Sequence, residues 1–273
     1  MAATFTGVTP VRILDTRTGT GGFSAPVGPA RTIAVTVAGW GGVPLMTSTS
    51  PVPPVAVVLN VTVTNATAHD SFVSVYPTGT TRPNVSNVNF VAGQTVPNRV
   101  IVKLGTGGTN AGKVTFYNAA GSVNVIADVG GWYSDATASG TGAGFNPLTP
   151  VRILDTRGIN GTPVGAPIAP LGQTPLKLLV AGVGGVPLMS STTPPQAVVL
   201  NVTATDTVTD SGGSFLTVWP DLVSQPGVSD LNFRAGLTIP NLVVVKVGAD
   251  GKIAIANARG TADVVVDIVG WYS

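Results

Sequence analysis

The chain has 273 residues, 44% of them hydrophobic and only 10% charged, with a formal net charge of +2. All twelve acidic residues are Asp, and neither Glu nor Cys occurs. The composition excludes disulfides, thiolate metal sites and cysteine nucleophiles, and the scattered Lys and Arg lack the basic patch that nucleic-acid binding needs.

Taken in order, Thr4 to Val8 and Val11 to Asp15 read as short strands broken at Pro10, with Val11 and Ile13 on one face and Arg12 and Leu14 on the other. Gly19 to Pro29 is a Gly- and Pro-rich loop. Arg31 to Ala38 alternates Ile33, Val35 and Val37 with Thr32, Ala34 and Thr36, a half-buried strand. A long connection from Gly39 to Pro54 follows. Val57, Leu59, Val61 and Val63 then point one way, with Asn60, Thr62 and Thr64 the other way. Further strands are expected at Ser71 to Tyr76, Asn87 to Phe90, Arg99 to Leu104, Lys113 to Asn118 and Ser122 to Val129. In the last, Val123, Val125, Ala127 and Val129 face inward.

The plan then repeats. Thr9-Pro10-Val11-Arg12-Ile13-Leu14-Asp15-Thr16-Arg17 returns unchanged as Thr149 to Arg157. Ala56 to Thr62 returns as Ala197 to Thr203, and Gly131-Trp132-Tyr133-Ser134 as Gly270-Trp271-Tyr272-Ser273. A period this long marks a tandem domain pair, not a solenoid. Residues 1–134 form one β domain, 135–144 a short linker and 145–273 a second β domain. The 35 Gly and 22 Pro, the many Val and Thr, and the missing Glu predict an all-β chain. Two β-sandwich or β-barrel-like domains are expected.

No apolar run reaches the roughly 18 residues of a membrane span. Met1 to Thr4 run into the first repeat without a signal peptide. Either the protein is not exported by that route, or the chain is a piece of a longer precursor.

Charge is scarce, so the charges kept in both copies stand out. They are Arg12/Arg152, Asp15/Asp155, Arg17/Arg157, Lys103/Lys246, Lys113/Lys252 and Asp128/Asp267. Asp128 sits within a strand, where a carboxylate calls for a cationic partner. One reading makes Arg12, Arg17 and Asp128, with Arg152, Arg157 and Asp267, structural ion pairs joining first and last strands, while Asp15 caps the turn into Arg17. The other makes Asp15, Arg17, Asp155 and Arg157 a binding site for a carboxylate, sugar hydroxyls or a cation. The aromatic pairs Trp132-Tyr133 and Trp271-Tyr272 are equally ambiguous. They are either a platform for sugar rings or core plugs with the indole N–H tied down. Tyr76 aligns with Trp219, and Trp40 with Val183.

Enzymatic signals are weak, and no catalytic residue, cofactor or metal site is assigned. The single histidine, His69, lies in a turn that the second copy replaces, which argues against a Ser-His-Asp arrangement. Asp206 and Asp210 lack calcium-loop spacing. Gly39 to Gly42 precede no helix and so cradle no phosphate.

With these stretches quoted, the chain resembles a repeat module of large secreted and surface-anchored proteins of actinobacteria and related bacteria. The resemblance rests on Pro-Val-Arg-Ile-Leu-Asp-Thr-Arg, the central Leu-Asn-Val-Thr, Ser86-Asn87-Val88-Asn89-Phe90 and the closing Gly-Trp-Tyr. The second copy departs at Ser229-Asp230-Leu231-Asn232-Phe233 and has Gln225-Pro226 for Arg82-Pro83. The resemblance implies an extracellular accessory module without assigned site residues. The reading is a non-enzymatic structural or adhesion module that contacts cell-surface glycan or neighbouring copies of itself. The alternative is a subunit of a virion or extracellular filament, and the third is a glycan-directed enzyme or its accessory domain.

Overall fold

Val and Thr at alternating positions favour extended backbone, because branched side chains pack well on a pleated surface. A computed structural model describes residues 4–47, 52–134, 143–158 and 175–273. Its regular structure is β throughout, apart from one 3-10 turn at Gly108–Asn110. It divides into two units, Met1–Gly142 and Ala143–Ser273. Most of the linker expected over 135–144 lies outside the described residues. Its last residue, Gly144, exchanges two backbone hydrogen bonds with Ser273 and so belongs to the second unit.

The first unit has eight strands: β1 (Thr4–Asp15), β2 (Arg31–Thr36), β3 (Pro54–Thr64), β4 (Ser71–Pro77), β5 (Val88–Phe90), β6 (Val96–Lys103), β7 (Lys113–Asn118) and β8 (Asn124–Ser134). They form two antiparallel sheets, β1-β8-β3-β6 and β2-β7-β4-β5. The second unit has β9 (Phe145–Asp155), β10 (Leu176–Leu179), β11 (Ala197–Val208), β12 (Ser214–Pro220), β13 (Leu231–Phe233), β14 (Ile239–Lys246), β15 (Lys252–Asn257) and β16 (Thr261–Tyr272). Its sheets are β9-β16-β11-β14 and β10-β15-β12-β13, the same order strand for strand. Both units are sandwiches. In the first, Leu59 and Val61 of one sheet share a core with Val73, Val114 and Phe116 of the other. In the second, Leu200 and Val202 meet Leu216, Val218 and Ile255.

The expected break at Pro10 is absent. β1 is continuous, and its pairing with β8 slips between Gly7 and Val11. β1 is an edge strand, where a residue without an N–H is tolerated. A second slip between Arg12 and Leu14 breaks the expected alternation, so Ile13, Leu14 and Asp15 are all buried. The polar face of β3 is not solvated either: Asn60 and Thr62 are buried like Leu59 and Val61.

The turn after β2 explains its glycines. Gly41 and Gly42 have φ of 58° and 81°, and their counterparts Gly184 and Gly185 have 60° and 93°. L-residues rarely adopt such angles. A Cβ on Gly41 would also lie 3.2 Å from Ile13 Cγ2, so the turn packs directly on the edge of β1.

Candidate functional site

The repeated nonapeptide places its charges at one end of β1. Arg12 lies directly opposite Asp128 in the β1–β8 register. Its Nε and Nη2 donate to Asp128 Oδ1 and Oδ2 at 2.9 and 3.3 Å, a forked pair. Its Nη1 reaches Asp15 Oδ2 at 3.4 Å. Arg17 bonds to Asp15, with Nε and Nη2 on the two carboxylate oxygens at 2.9 and 2.7 Å. The Arg17 backbone N–H adds a bond to Asp15 Oδ1 at 3.0 Å. Asp15, only 1% exposed, is therefore the hub, and Arg12 bridges it to Asp128.

The second unit repeats this atom for atom. Arg152 forks onto Asp267 at 2.9 and 3.3 Å and touches Asp155 at 3.4 Å. Arg157 holds Asp155 through its backbone N–H, Nε and Nη2. Burial differs between the copies. The Asp128 side chain is 2% exposed, while Asp267 is 24% exposed.

The Thr between Asp and Arg went unnoticed at the level of sequence. Thr16 Oγ1 donates to Asn124 Oδ1 at 2.9 Å and accepts the Val125 N–H at 3.0 Å. Thr156 does the same with Asp263 and Val264. Each ties the end of the first strand to the start of the last. The only signal was its recurrence within the repeat. Asn118 and Asn257 were likewise missed. Both are fully buried, and their amide N–H groups satisfy carbonyls of adjoining turns.

These contacts set the acid response. Hydrogen bonding from Arg157 holds the Asp155 carboxyl down, from 3.8 to about 2, against the opposing effect of burial. Burial alone would raise the Asp15 carboxyl, but the hydrogen bonds and charges of Arg17 and Arg12 outweigh it and leave it lowered. A carboxyl lowered in the folded state stabilises fully above its unfolded value, near pH 4, and loses that contribution as pH falls. The second unit should therefore lose stability progressively between about pH 4 and about pH 2. Melting followed across that range checks this. Asp155→Asn should flatten the profile, and an unchanged slope would remove the linkage.

The closing Gly-Trp-Tyr forms a three-part lock. The β8 pairing with β3 slips between Val129 and Gly131, inserting Gly130 as a bulge. This returns Trp132 to the core face, where it is 6% exposed, and Trp271 is 8% exposed after the matching slip in β16. A platform for sugars on Trp132 and Trp271 is thereby corrected: both rings lie in the cores. For Trp132 the tied-down indole N–H is corrected too, since its Nε1 is buried with no partner among the described residues. Tyr133 and Tyr272 pack on Phe5 and Phe145 with ring centroids 5.2 Å apart in both copies.

Gly131 makes room for Phe5. A Cβ there would lie 2.4 Å from the ring, and one on Gly270 would lie 2.4 Å from Phe145. Phe5 is 1% exposed and Phe145 49%, so only the second ring has space to swing away. A Cβ on either glycine also meets a backbone carbonyl, Thr6 O at 2.8 Å or Asn146 O at 2.9 Å, so both changes cost stability. The cost should be about 1–3 kcal/mol for Gly131→Ala, and less for Gly270→Ala by the share its ring can give up. Equal losses in denaturant titrations would contradict this.

The outward face of β2-β7-β4-β5 carries two further aromatics. Phe72 and Tyr117, both half-buried, stand 6.3 Å apart, and the Arg82 guanidinium lies 4.3 Å over Tyr117. In the second unit Trp219 packs on Ala254 and Ala256, and its Nε1 donates to the Val223 carbonyl. The larger ring on β12 is offset by smaller residues on β15. His69 is almost wholly exposed beside Asp70. Among the described residues, no group of three or more His, Asp or Glu side chains is placed to hold a metal, and no helix is long and apolar enough to cross a membrane.

No protein-family model matches the chain, and no curated protein matches it. Among solved structures it is similar to the N-terminal CBM22-1–CBM22-2 tandem domain of Paenibacillus barcinonensis Xyn10C, at 10% identity over the whole of both chains. The TM-score is 0.24, too low for that similarity to bear on function.

Proposed function

We propose that the chain is a non-catalytic module of the extracellular surface, with a structural or adhesive role that includes contact with glycans. One observation carries this reading. The Arg and Asp residues of the repeated stretch, with Asp128 and Asp267, close on one another in both units. The motif that most distinguishes the chain thus joins the first strand of each unit to the last, and its carboxylates are engaged by arginines. The extracellular placement rests on the motif resemblance.

Retention on insoluble polysaccharides and on peptidoglycan, with released sugars assayed in parallel, tests the reading. Retention without product is expected. Product release would overturn the non-catalytic role, and retention on none of them would overturn glycan contact.

A second reading, a subunit of a virion or filament, is favoured by the turn after β2. Trp40 is 65% exposed and Leu45 62%, large apolar surfaces that a neighbouring copy would cover. Light scattering on the purified chain separates the two: a monomer fits the surface module, and a large assembly fits the subunit.

A further inference from the structure

At one end of the β2-β7-β4-β5 sheet of the first unit, three turns line a shallow, open cleft of about 600 Å³. Asp70, Ser71 and Phe72 come from the start of β4, Asn89 and Phe90 from the end of β5, and Ala119 and Ala120 from the turn after β7. Val91 and Gln94 complete the wall. The volume lies within the range of small-molecule sites, about 300–1,000 Å³.

The cleft is braced before any ligand arrives. Ser71 Oγ accepts the Ala120 N–H at 2.9 Å and donates to the Ala120 carbonyl at 3.1 Å. The Ala119 N–H bonds the Phe72 carbonyl, and the Gly93 N–H bonds the Ala66 carbonyl. The Gln94 amide oxygen accepts the Val91 N–H at 3.0 Å, which leaves its NH2 group as a donor. A ligand would therefore bear little of the cost of ordering these turns.

Its chemistry is two-sided. Phe72, Val91, Ala119 and Ala120 offer apolar surface, while Asp70, Asn89 and Gln94 offer one carboxylate and two amides, all three exposed. The C–H face of a pyranose ring matches the first set, and its hydroxyls match the second. The Asp70 carboxylate on the rim disfavours an acidic sugar.

The second unit keeps the frame and changes the lining. Ser214 pairs with Phe233 as Ser71 pairs with Phe90. Ser214 Oγ accepts the Arg259 N–H as Ser71 accepts that of Ala120. Aligned on these strands, Arg234 replaces Val91, Arg259 replaces Ala120, Leu237 replaces Gln94 and Gly213 replaces Asp70. Two small apolar wall residues become long cations, and two of the polar rim groups are lost.

We propose that this cleft is a binding site for an uncharged pyranose of a glycan, and that only the first unit carries it. The assignment rests on the glycan-contact reading above and gives it a place.

Titration calorimetry of the full chain with neutral hexasaccharides of glucose, xylose, mannose and N-acetylglucosamine tests it, with oligogalacturonate as the acidic comparison. Val91→Arg with Ala120→Arg installs the second unit's residues on the exposed wall. Affinity for the neutral oligosaccharide that binds should fall at least tenfold, with the melting temperature unchanged. Asp70→Asn, at a side chain 81% exposed, should weaken binding several-fold and serves if the double variant is unstable. Arg234→Val with Arg259→Ala should leave affinity unaltered. If the parent binds and the double variant or Asp70→Asn binds equally well, the site is elsewhere although glycan contact stands. If none of the oligosaccharides binds the parent, the site falls, while retention on insoluble polysaccharides and peptidoglycan decides the glycan reading separately. Preference for oligogalacturonate would overturn the neutral ligand class.

Discussion

Asp15→Ala should lower the stability of the first unit by about 3 kcal/mol, the lower end of the range for breaking a buried ion pair. The carboxylate is 1% exposed and takes four hydrogen bonds from two arginines. Its removal strands part of the charge on Arg12 and Arg17 and frees the Arg17 N–H that fixes the turn after β1. The cost stays near the lower end because Arg17 is 41% exposed, so water can reach its guanidinium. Asp15→Asn keeps an acceptor for the turn but loses the charge, and it should fall between parent and Ala variant. Hydrogen exchange read peptide by peptide localises the loss to the first unit. As a control, Asp70→Ala at a side chain 81% exposed should stay within about 0.5 kcal/mol. If Asp15→Ala unfolds together with that control, the cluster is not what fixes β1.

Asp128→Ala and Asp267→Ala should differ sharply although their ion pairs share one geometry. Each carboxylate accepts the same two guanidinium bonds, at 2.9 and 3.3 Å. What differs is water. Asp128 is 2% exposed and Arg12 25%, and Arg12 keeps Asp15 at 3.4 Å, so the loss should lie near the lower end of the range for a buried pair, about 3 kcal/mol. Asp267 and Arg152 are 24% and 35% exposed, so solvent screens the pair and truncation should cost about 1 kcal/mol or less. Double-mutant cycles, Arg12→Ala with Asp128→Ala and Arg152→Ala with Asp267→Ala, measure the two couplings directly. Equal coupling energies would show that burial does not govern them.

The duplication was legible because it is written in side chains: a nonapeptide, a central strand and a closing Gly-Trp-Tyr recur in order. The all-β class followed from composition, since a chain of Val, Thr, Gly and Pro without Glu has little to build helices from. The meeting of Arg12 with Asp128 was within reach of the same reasoning, because an in-strand carboxylate needs a partner and so few cations exist to supply one.

Other features depend on pairing geometry that no local pattern encodes. Strict alternation puts Trp132 on the same face as Asp128. The bulge at Gly130 moves it into the core, because one extra residue in a strand reverses the side that follows. Asp15 emerged as the hub, in place of Asp128, only once the slip between Arg12 and Leu14 had turned its carboxylate toward both arginines. The cleft beside Phe72 needed three turns from distant parts of the chain, tied by Ser71 and Ala66. Sequence alone determined the class, the duplication and the repeated Arg, Asp and Trp-Tyr residues, but not Phe5, Phe145 or the lining of the cleft. Tertiary structure decided which of them meet, because register, bulges and burial are properties of strands in contact and not of any strand alone.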